Sequence, residues 1–492
     1  MNKPTALFDF DNSYARELPG FYADWNSDKA PSPTLLRLNH SLAEELGLDS
    51  EALEGVAGIE ILAGVRVPDG AHPLAQAYAG HQFGGFSPQL GDGRALLLGE
   101  IIDRDGRRRD IQLKGSGPTP FSRRGDGKAA IGPVLREYII GEAMHALGIP
   151  TTRALAAVAT GEFVQREDAL PGAVLTRVAS SHIRVGTFEF FSARDETDKV
   201  KQLADYAIDR HFPDLRDADS PYLAFFEAVM EAQAKLIADW MNIGFIHGVM
   251  NTDNMAISGE TIDYGPVAFM ESYAPDTVFS SIDRDGRYAF GNQPPIAQWN
   301  LARFAETMLP LFDAEQQKAV AIANESIGGF EKRFVAHWLN GAREKIGLAA
   351  ASDGDLELIN SLFTAMTGQN VDFTLFFRRL SQATLGNDEP VRSLFDDPAA
   401  LDPWLAQWRE NTGREGRIPS ERAEMMDRVN PIYIARNHKV EEALLAAQSG
   451  DITKMDRLLG LLQKPFDEVA GMGEYAVPAP VGSGPYVTFC GT

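Results

Sequence analysis

The sequence predicts an α+β protein, strand-rich in its N-terminal part and helical in its C-terminal part. Three observations point there. Residues 60–128 are rich in glycine and in short apolar runs. Beyond Ser192 the apolar spacing changes to that of amphipathic helices. No internal repeat or low-complexity linker interrupts the chain.

The elements follow in order. Arg94–Ile101 and Asp110–Lys114 read as strands joined through Asp103-Arg104-Asp105-Gly106, a hairpin signal. A helix is predicted over 133–147, with Pro133 at its first position and Gly148-Ile149-Pro150 beyond its end. Strands are predicted around 153–166 and 173–178. From Tyr222 to Met241, apolar residues at Leu223, Phe226, Val229, Met230, Ala234, Ile237 and Met241 form one helical stripe, stopped before Gly244. Helices are also predicted over 296–320, 323–346, 355–367 and 372–382. After about residue 465, glycine and proline predict an irregular tail. The expected division is 1–175, 176–465 and 466–492.

Composition narrows the function classes. The 492 residues carry 46 Lys plus Arg against 69 Asp plus Glu, a formal charge of −23. Such a surface repels nucleic acid and anionic membranes, so neither is an expected partner, and a site for a polyanion must be a local basic pocket. The single cysteine, Cys490, excludes an intrachain disulfide and a cysteine-based metal cluster. The first residues have no basic region followed by an apolar run, and no stretch approaches 18 apolar residues. A soluble, cytoplasmic protein is expected.

The most informative stretch is His247-Gly248-Val249-Met250-Asn251-Thr252-Asp253-Asn254, with Asp263-Tyr264-Gly265 following. A strand over Met255–Ile257, a turn at Ser258-Gly259-Glu260 and a strand over Thr261–Asp263 would bring Asn254 and Asp263 side by side. An amide oxygen and a carboxylate beside polyphosphate oxygens make a hard, oxygen-only site for Mg²⁺. The order resembles that of protein kinases and of small-molecule kinases with His-Gly-Asp-x-x-x-x-Asn. In that alignment Val249 occupies the place of the catalytic Asp, and valine cannot accept a proton. Asp253, beside Asn254, is the candidate substitute.

On the phosphate side, Lys114 ends an apolar strand and precedes Gly115-Ser116-Gly117. A strand lysine paired with a helix glutamate is the kinase arrangement for holding nucleotide phosphates. Glu137 and Glu142, about 140° apart on helix 133–147, are the candidate partners, with Glu137 preferred. Arg94, Lys114, Arg123, Arg124, Lys128, Arg136, Arg177 and Arg184 supply the positive charge that a triphosphate needs. The loop Phe121–Lys128, with Asp126 and Gly127, and the turn Gly91-Asp92-Gly93-Arg94 are candidate anion-binding turns.

These motifs together resemble the selenoprotein O family in its bacterial form, over essentially the whole chain. The stretches that carry the resemblance are His81–Phe86, Gln112–Arg123, His247–Met255 and Ile262–Pro266, with Cys490 third from the end, where some family members carry selenocysteine. The resemblance implies a protein-kinase-like, two-lobed fold that binds ATP in a flipped orientation. It implies transfer of AMP to Ser, Thr or Tyr hydroxyls of proteins, redox proteins among them, with release of pyrophosphate. Carried onto this chain, Lys114 and Glu137 form the ion pair. Asn254 and Asp263 bind Mg²⁺, or Mn²⁺ in its place. Gly93, Arg94, Asp126, Gly127, Lys128, Arg177 and Arg184 contact the nucleotide, and Asp253 is catalytic. Two other readings remain open from the residues: transfer of the γ-phosphoryl group, which Val249 opposes, and a nucleotide-binding scaffold without turnover.

Overall fold

The computed structural model describes residues 7–480, 482–484 and 486–488. Its N-terminal region is built on an antiparallel sheet. The strands are β1 (Tyr22–Asp24), β2 (Thr34–Leu38), β3 (Leu74–Gln76), β4 (Gly80–Gln82), β5 (Gly85–Ser87), β6 (Ala95–Ile102), β7 (Arg108–Lys114), β8 (Ala129–Ala130), β9 (Arg153–Gln165) and β10 (Ala169–Ala179). The main sheet runs β1-β3-β6-β7-β10-β9-β2, with β8 on β10, while β4 and β5 form a separate hairpin. Lys114 at the end of β7 faces Ala95 on one side and Leu175 on the other, so its backbone is fixed by both neighbours.

Period-2 alternation divides the sheet's side chains between two cores. Leu96, Leu98, Ile111, Leu113, Leu155, Val158, Val174 and Val178 pack with Leu42, Leu53, Ile61 and Leu62 from the short helices His40–Glu45, Ser50–Glu54 and Val56–Leu62. Leu97, Ala154, Ala157, Ala173 and Leu175 face the other way, toward Leu135, Ile139 and Ala143 of helix Ile131–Ala146. That helix is buried nearly all round, because helices Asn437–Gln448 and Thr453–Leu462 cover its outer side. A helix buried on every side shows little amphipathic contrast. Truncating Leu135 to alanine here would cost about 2–5 kcal/mol.

The rest of the chain is mainly helical, with one two-stranded antiparallel sheet of Phe245–Ile246 and Ala268–Phe269. Helix Pro221–Ile243 starts on a proline and ends at Gly244, whose φ of 71° is the left-handed conformation that closes a helix. Its stripe falls where the sequence placed it. The predicted helices 296–320 and 323–346 are corrected to three: Gln293–Phe312, Gln316–Ile327 and Phe330–Lys345. The break falls at Asp313, whose extended backbone ends the first helix. Helices Asp355–Met366 and Phe373–Thr384 lie within two residues of expectation. The second core, with Phe373, Phe376, Phe377, Trp404 and Trp408, joins them to helix Asp402–Arg414. The tail carries one short helical turn, Gly473–Tyr475, and Thr488 returns to bond the backbone of Phe279 and Pro266. Among the described residues no helix is long and apolar enough to cross a membrane. Cys490 lies outside the described residues.

Candidate active site

The expected strand pair over 255–263 does not form. Ala256 bridges Arg184 and Thr261 bridges Thr151, so each half of the segment joins a different neighbour instead of its own partner. The segment still returns the chain to the same place, because Ile257-Ser258 turns it and Gly259, at a φ of 74°, closes the turn on the Ala256 carbonyl. His247 fixes the exit: its Nε2 bonds the Ile262 carbonyl at 2.9 Å, immediately before Asp263. Asn254 and Asp263 consequently line one cavity of about 690 Å³.

A buried charge cluster forms one wall. Lys114 Nζ lies 2.6 Å from Glu137 Oε2 and 2.5 Å from Asp263 Oδ1. Arg177 donates through Nε to Glu137 Oε1 at 2.9 Å and through Nη2 to Asp263 Oδ1 at 2.6 Å. Burial alone would raise the pKa of Asp263, but Lys114, Arg177 and Arg184 hold it well below the usual carboxylate range. Glu137 behaves likewise, burial being overridden by Arg177 and Lys114. Glu142, the other candidate, instead binds Arg153 through both carboxylate oxygens, each at 2.7 Å. Five positions along the helix have turned it to the opposite side.

The other predicted residues divide as follows. Gly93, Arg94, Asp126, Gly127, Lys128, Arg177, Arg184, Asp253, Asn254 and Asp263 all line the cavity, while Glu137 sits behind Lys114. Arg184 donates to the Asp253 carbonyl at 3.0 Å and lies 4.4 Å over the Tyr78 ring. Lys128 is held by Glu162 at 2.7 Å and Asp28 at 3.3 Å, and Asp126 by Arg166 at 2.8 Å. Gly93 permits a close approach: a β-carbon there would meet the Phe121 carbonyl oxygen at 2.9 Å. Arg136 does not join them. It donates to the Val267 carbonyl and reaches Glu441 and Tyr486 instead. Residues given no role from sequence also line the cavity, among them Tyr78, Gln82, Phe83, Asn251 and Ile282. Gln82 and Phe83 fall inside a stretch that carries the resemblance, which was the only signal for them.

Asp253 and Val249 share this wall. Burial pushes the Asp253 carboxyl up to about 6, against the opposing pull of Arg184. Its Oδ1 is buried and has no hydrogen-bond partner among the described residues. Asn254 gives its amide nitrogen to the Val249 carbonyl at 3.0 Å, so its amide oxygen could serve a metal. Asp263 spends Oδ1 on Lys114 and Arg177, while Oδ2 lies 3.8 Å from Arg184 Nη1. These are hard oxygen donors. Among the described residues no group of three or more His, Cys, Asp or Glu could hold a metal by itself. The donor set therefore suits Mg²⁺, which takes one or two protein ligands and completes its shell with phosphate and water.

A cavity lined by Arg94, Lys114, Lys128, Arg177 and Arg184, with buried carboxylates behind them, has the charge to hold a polyphosphate. The family model described as protein adenylyltransferase SelO matches residues 4–463. A protein nucleotidyltransferase YdiU of Cereibacter sphaeroides is 63% identical over 99% of this chain and 100% of its own length. One from Rhizobium leguminosarum is 60% identical over 100% and 99%, and one from Rhizobium rhizogenes 57% over 98% and 97%. The chain belongs to the SelO family and is an enzyme, a protein adenylyltransferase of the nucleotidyltransferase class.

Proposed function

We propose that the chain transfers AMP from ATP to Ser, Thr or Tyr hydroxyls of proteins and releases pyrophosphate. Its fold is read as a two-lobed protein-kinase fold, the sheet region forming one lobe and the helices the other, with the nucleotide reversed relative to kinases. The proposed units are 1–175, 176–465 and 466–492. One observation carries the reading: Asp253 lines the cavity that holds the cationic cluster, while the kinase position for the catalytic Asp is Val249.

Asn254 and Asp263 would hold Mg²⁺ or Mn²⁺, which would neutralise phosphate charge. Arg94, Lys128, Arg177 and Arg184 place positive charge around the polyphosphate, with Gly93 and Gly127 allowing the backbone close and Asp126 fixing the Lys128 loop. Lys114, held by Glu137, keeps Asp263 ionised. Asp253 orients the acceptor hydroxyl and takes its proton. The acceptor oxygen then forms its bond to the α-phosphorus as the α,β-bridging bond breaks, and pyrophosphate leaves toward the basic lining. A carboxyl raised toward neutrality suits proton acceptance near pH 7. Redox proteins are proposed among the acceptors and the cytoplasm as the compartment, both on the family resemblance.

The test is ATP labelled at either the α- or the γ-phosphate, incubated with the enzyme, Mg²⁺ and acceptor protein. Retention of the α-label with a mass gain of one AMP unit is expected. Retention of the γ-label would establish phosphoryl transfer instead. Asp253→Asn should abolish transfer while ATP still binds, and an equal loss of ATP affinity would remove Asp253 from the proposed role.

A further inference from the structure

The hairpin of β4 and β5 lies over the loop that carries Asp253. His81 N–H donates to the Thr252 hydroxyl at 2.6 Å, and the Thr252 hydroxyl donates to Glu189 Oε2 at 2.5 Å. His81 Nδ1 closes the ring on Glu189 Oε1, also at 2.5 Å. Gln82 Nε2 donates to Asp253 Oδ2 at 3.3 Å, the one side-chain hydrogen bond that this carboxylate receives among the described residues. A β-carbon at Gly80 would meet Asp253 Oδ1 at 2.5 Å, so only glycine lets the hairpin sit this close.

The tip is unusual. Gln82 pairs with Gly85, and the two residues between them, Phe83 and Gly84, have φ of 51° and 83°. Two positive φ values in a two-residue hairpin turn are those of a type I′ turn, which favours Asn, Asp or Gly at the first position. A bulky aromatic there is strained, and strain of this kind persists where neighbours enforce it. Here Phe83 N–H donates to Asn251 Oδ1 at 3.1 Å, and the Phe83 ring meets Tyr288 edge-on at 5.1 Å. Tyr288 in turn donates its hydroxyl to the same Asn251 oxygen at 2.6 Å. Phe83 nevertheless remains 37% exposed and lines the cavity together with Ile282, which is 51% exposed. Both apolar side chains thus line the same cavity as Asp253.

We propose that this hairpin positions the acceptor: Gln82 orients the Asp253 carboxylate, and Phe83 with Ile282 receives an apolar side chain next to the hydroxyl residue of the acceptor polypeptide. The inference rests on the AMP-transfer reading above and adds a sequence preference to it. Asparagine would relieve the turn and melt no lower than phenylalanine, but would offer no apolar surface.

The experiment uses the full chain and two peptide acceptors, identical except for leucine or glycine flanking the hydroxyl residue. Phe83→Asn and Ile282→Ser should each raise KM for the leucine peptide about tenfold, the scale of one lost apolar contact. KM for the glycine peptide and for ATP should move less than about twofold. Phe83→Tyr should restore the preference, and Gln82→Leu should lower kcat on both peptides equally. No difference between the peptides in the wild type, or a preference that survives both Phe83→Asn and Ile282→Ser, would overturn the proposal while leaving AMP transfer intact. Absence of AMP transfer to any acceptor would instead remove the function on which it rests.

Discussion

Lys114 Nζ lies 2.5 Å from Asp263 Oδ1, across 149 positions of sequence. The same oxygen receives Arg177, so one carboxylate atom anchors two cations and the other is left to a ligand. Asp263→Asn removes that charge, and turnover should fall by more than about a hundredfold, the scale of losing a principal electrostatic group. Transfer retained within tenfold in a radiolabel assay would show that Asp263 is not a metal ligand.

The two buried glutamates of helix Ile131–Ala146 make a sharper comparison. Glu137→Gln leaves Lys114 and Arg177 with Asp263 as their one remaining shared carboxylate among the described residues and should raise KM for ATP. Glu142→Gln should lower thermal stability through Arg153 and spare KM for ATP, because Arg153 contacts the sheet side and not the cavity. Each loses a buried charged partner, which costs about 3–5 kcal/mol before relaxation. Nucleotide titration of both variants separates the roles, and equal loss of ATP binding would refute the assignment.

Acid should destabilise the sheet region from two imidazoles. Burial pushes His182 down to about 4 despite its bond to Asp110, and His211 down to about 3, helped by Arg210. From about pH 6.5 downward the unfolded chain binds protons at both that the folded chain does not, so stability falls as pH falls. Asp110 lies at about 2: burial would raise it, but Arg210 and His182 lower it, so its contribution fades only below about 3.8. The two imidazoles together are worth on the order of a few kcal/mol. Melting temperature between pH 7 and 4 should decline, and His182→Gln with His211→Gln should flatten that slope. An unchanged slope in the double variant would sink this account.

Lys345 is the opposite case, a buried cation that costs stability. Its ammonium sits 4.0 Å over the Phe377 ring, and burial pushes its pKa down to about 7. The unfolded chain keeps that proton up to about pH 10.5, so stability rises with pH between about 7 and 10.5. Lys345→Met should raise the melting temperature, by more at pH 6 than at pH 9. The gain should be about 1–3 kcal/mol, the ring contact offsetting part of the burial cost. A variant less stable at pH 6 would mean that the cation–ring contact outweighs desolvation.

Much of this was legible in the chain because local chemistry carried it. The stripe from Leu223 to Met241 and the Gly244 stop needed no tertiary information. Helix geometry lets only one of Glu137 and Glu142 face the cleft, and the place of Glu137 in the first turns, near the site, favours it. The pairing of 255–263 was not legible: a short apolar run predicts extension but not its partner, and here the partners are Thr151 and Arg184. Arg136 was misplaced for a related reason, since a basic residue one position from Glu137 points elsewhere on the helix. Ile282 carries no charge signature and lies in no motif, so its place in the cavity wall is visible only in three dimensions, whereas Phe83 is marked only by the stretch His81–Phe86.

Thr488 closes a contact across 222 positions, its hydroxyl on the Pro266 carbonyl and its N–H on that of Phe279. Pro266 and Ile282 belong to the cavity wall. During synthesis the polypeptide emerges N-terminus first at roughly 5–20 residues per second. Every residue assigned a chemical role is therefore synthesised some ten seconds or more before Thr488. A nascent chain thus carries the reactive groups before the Thr488 contact on that wall can form.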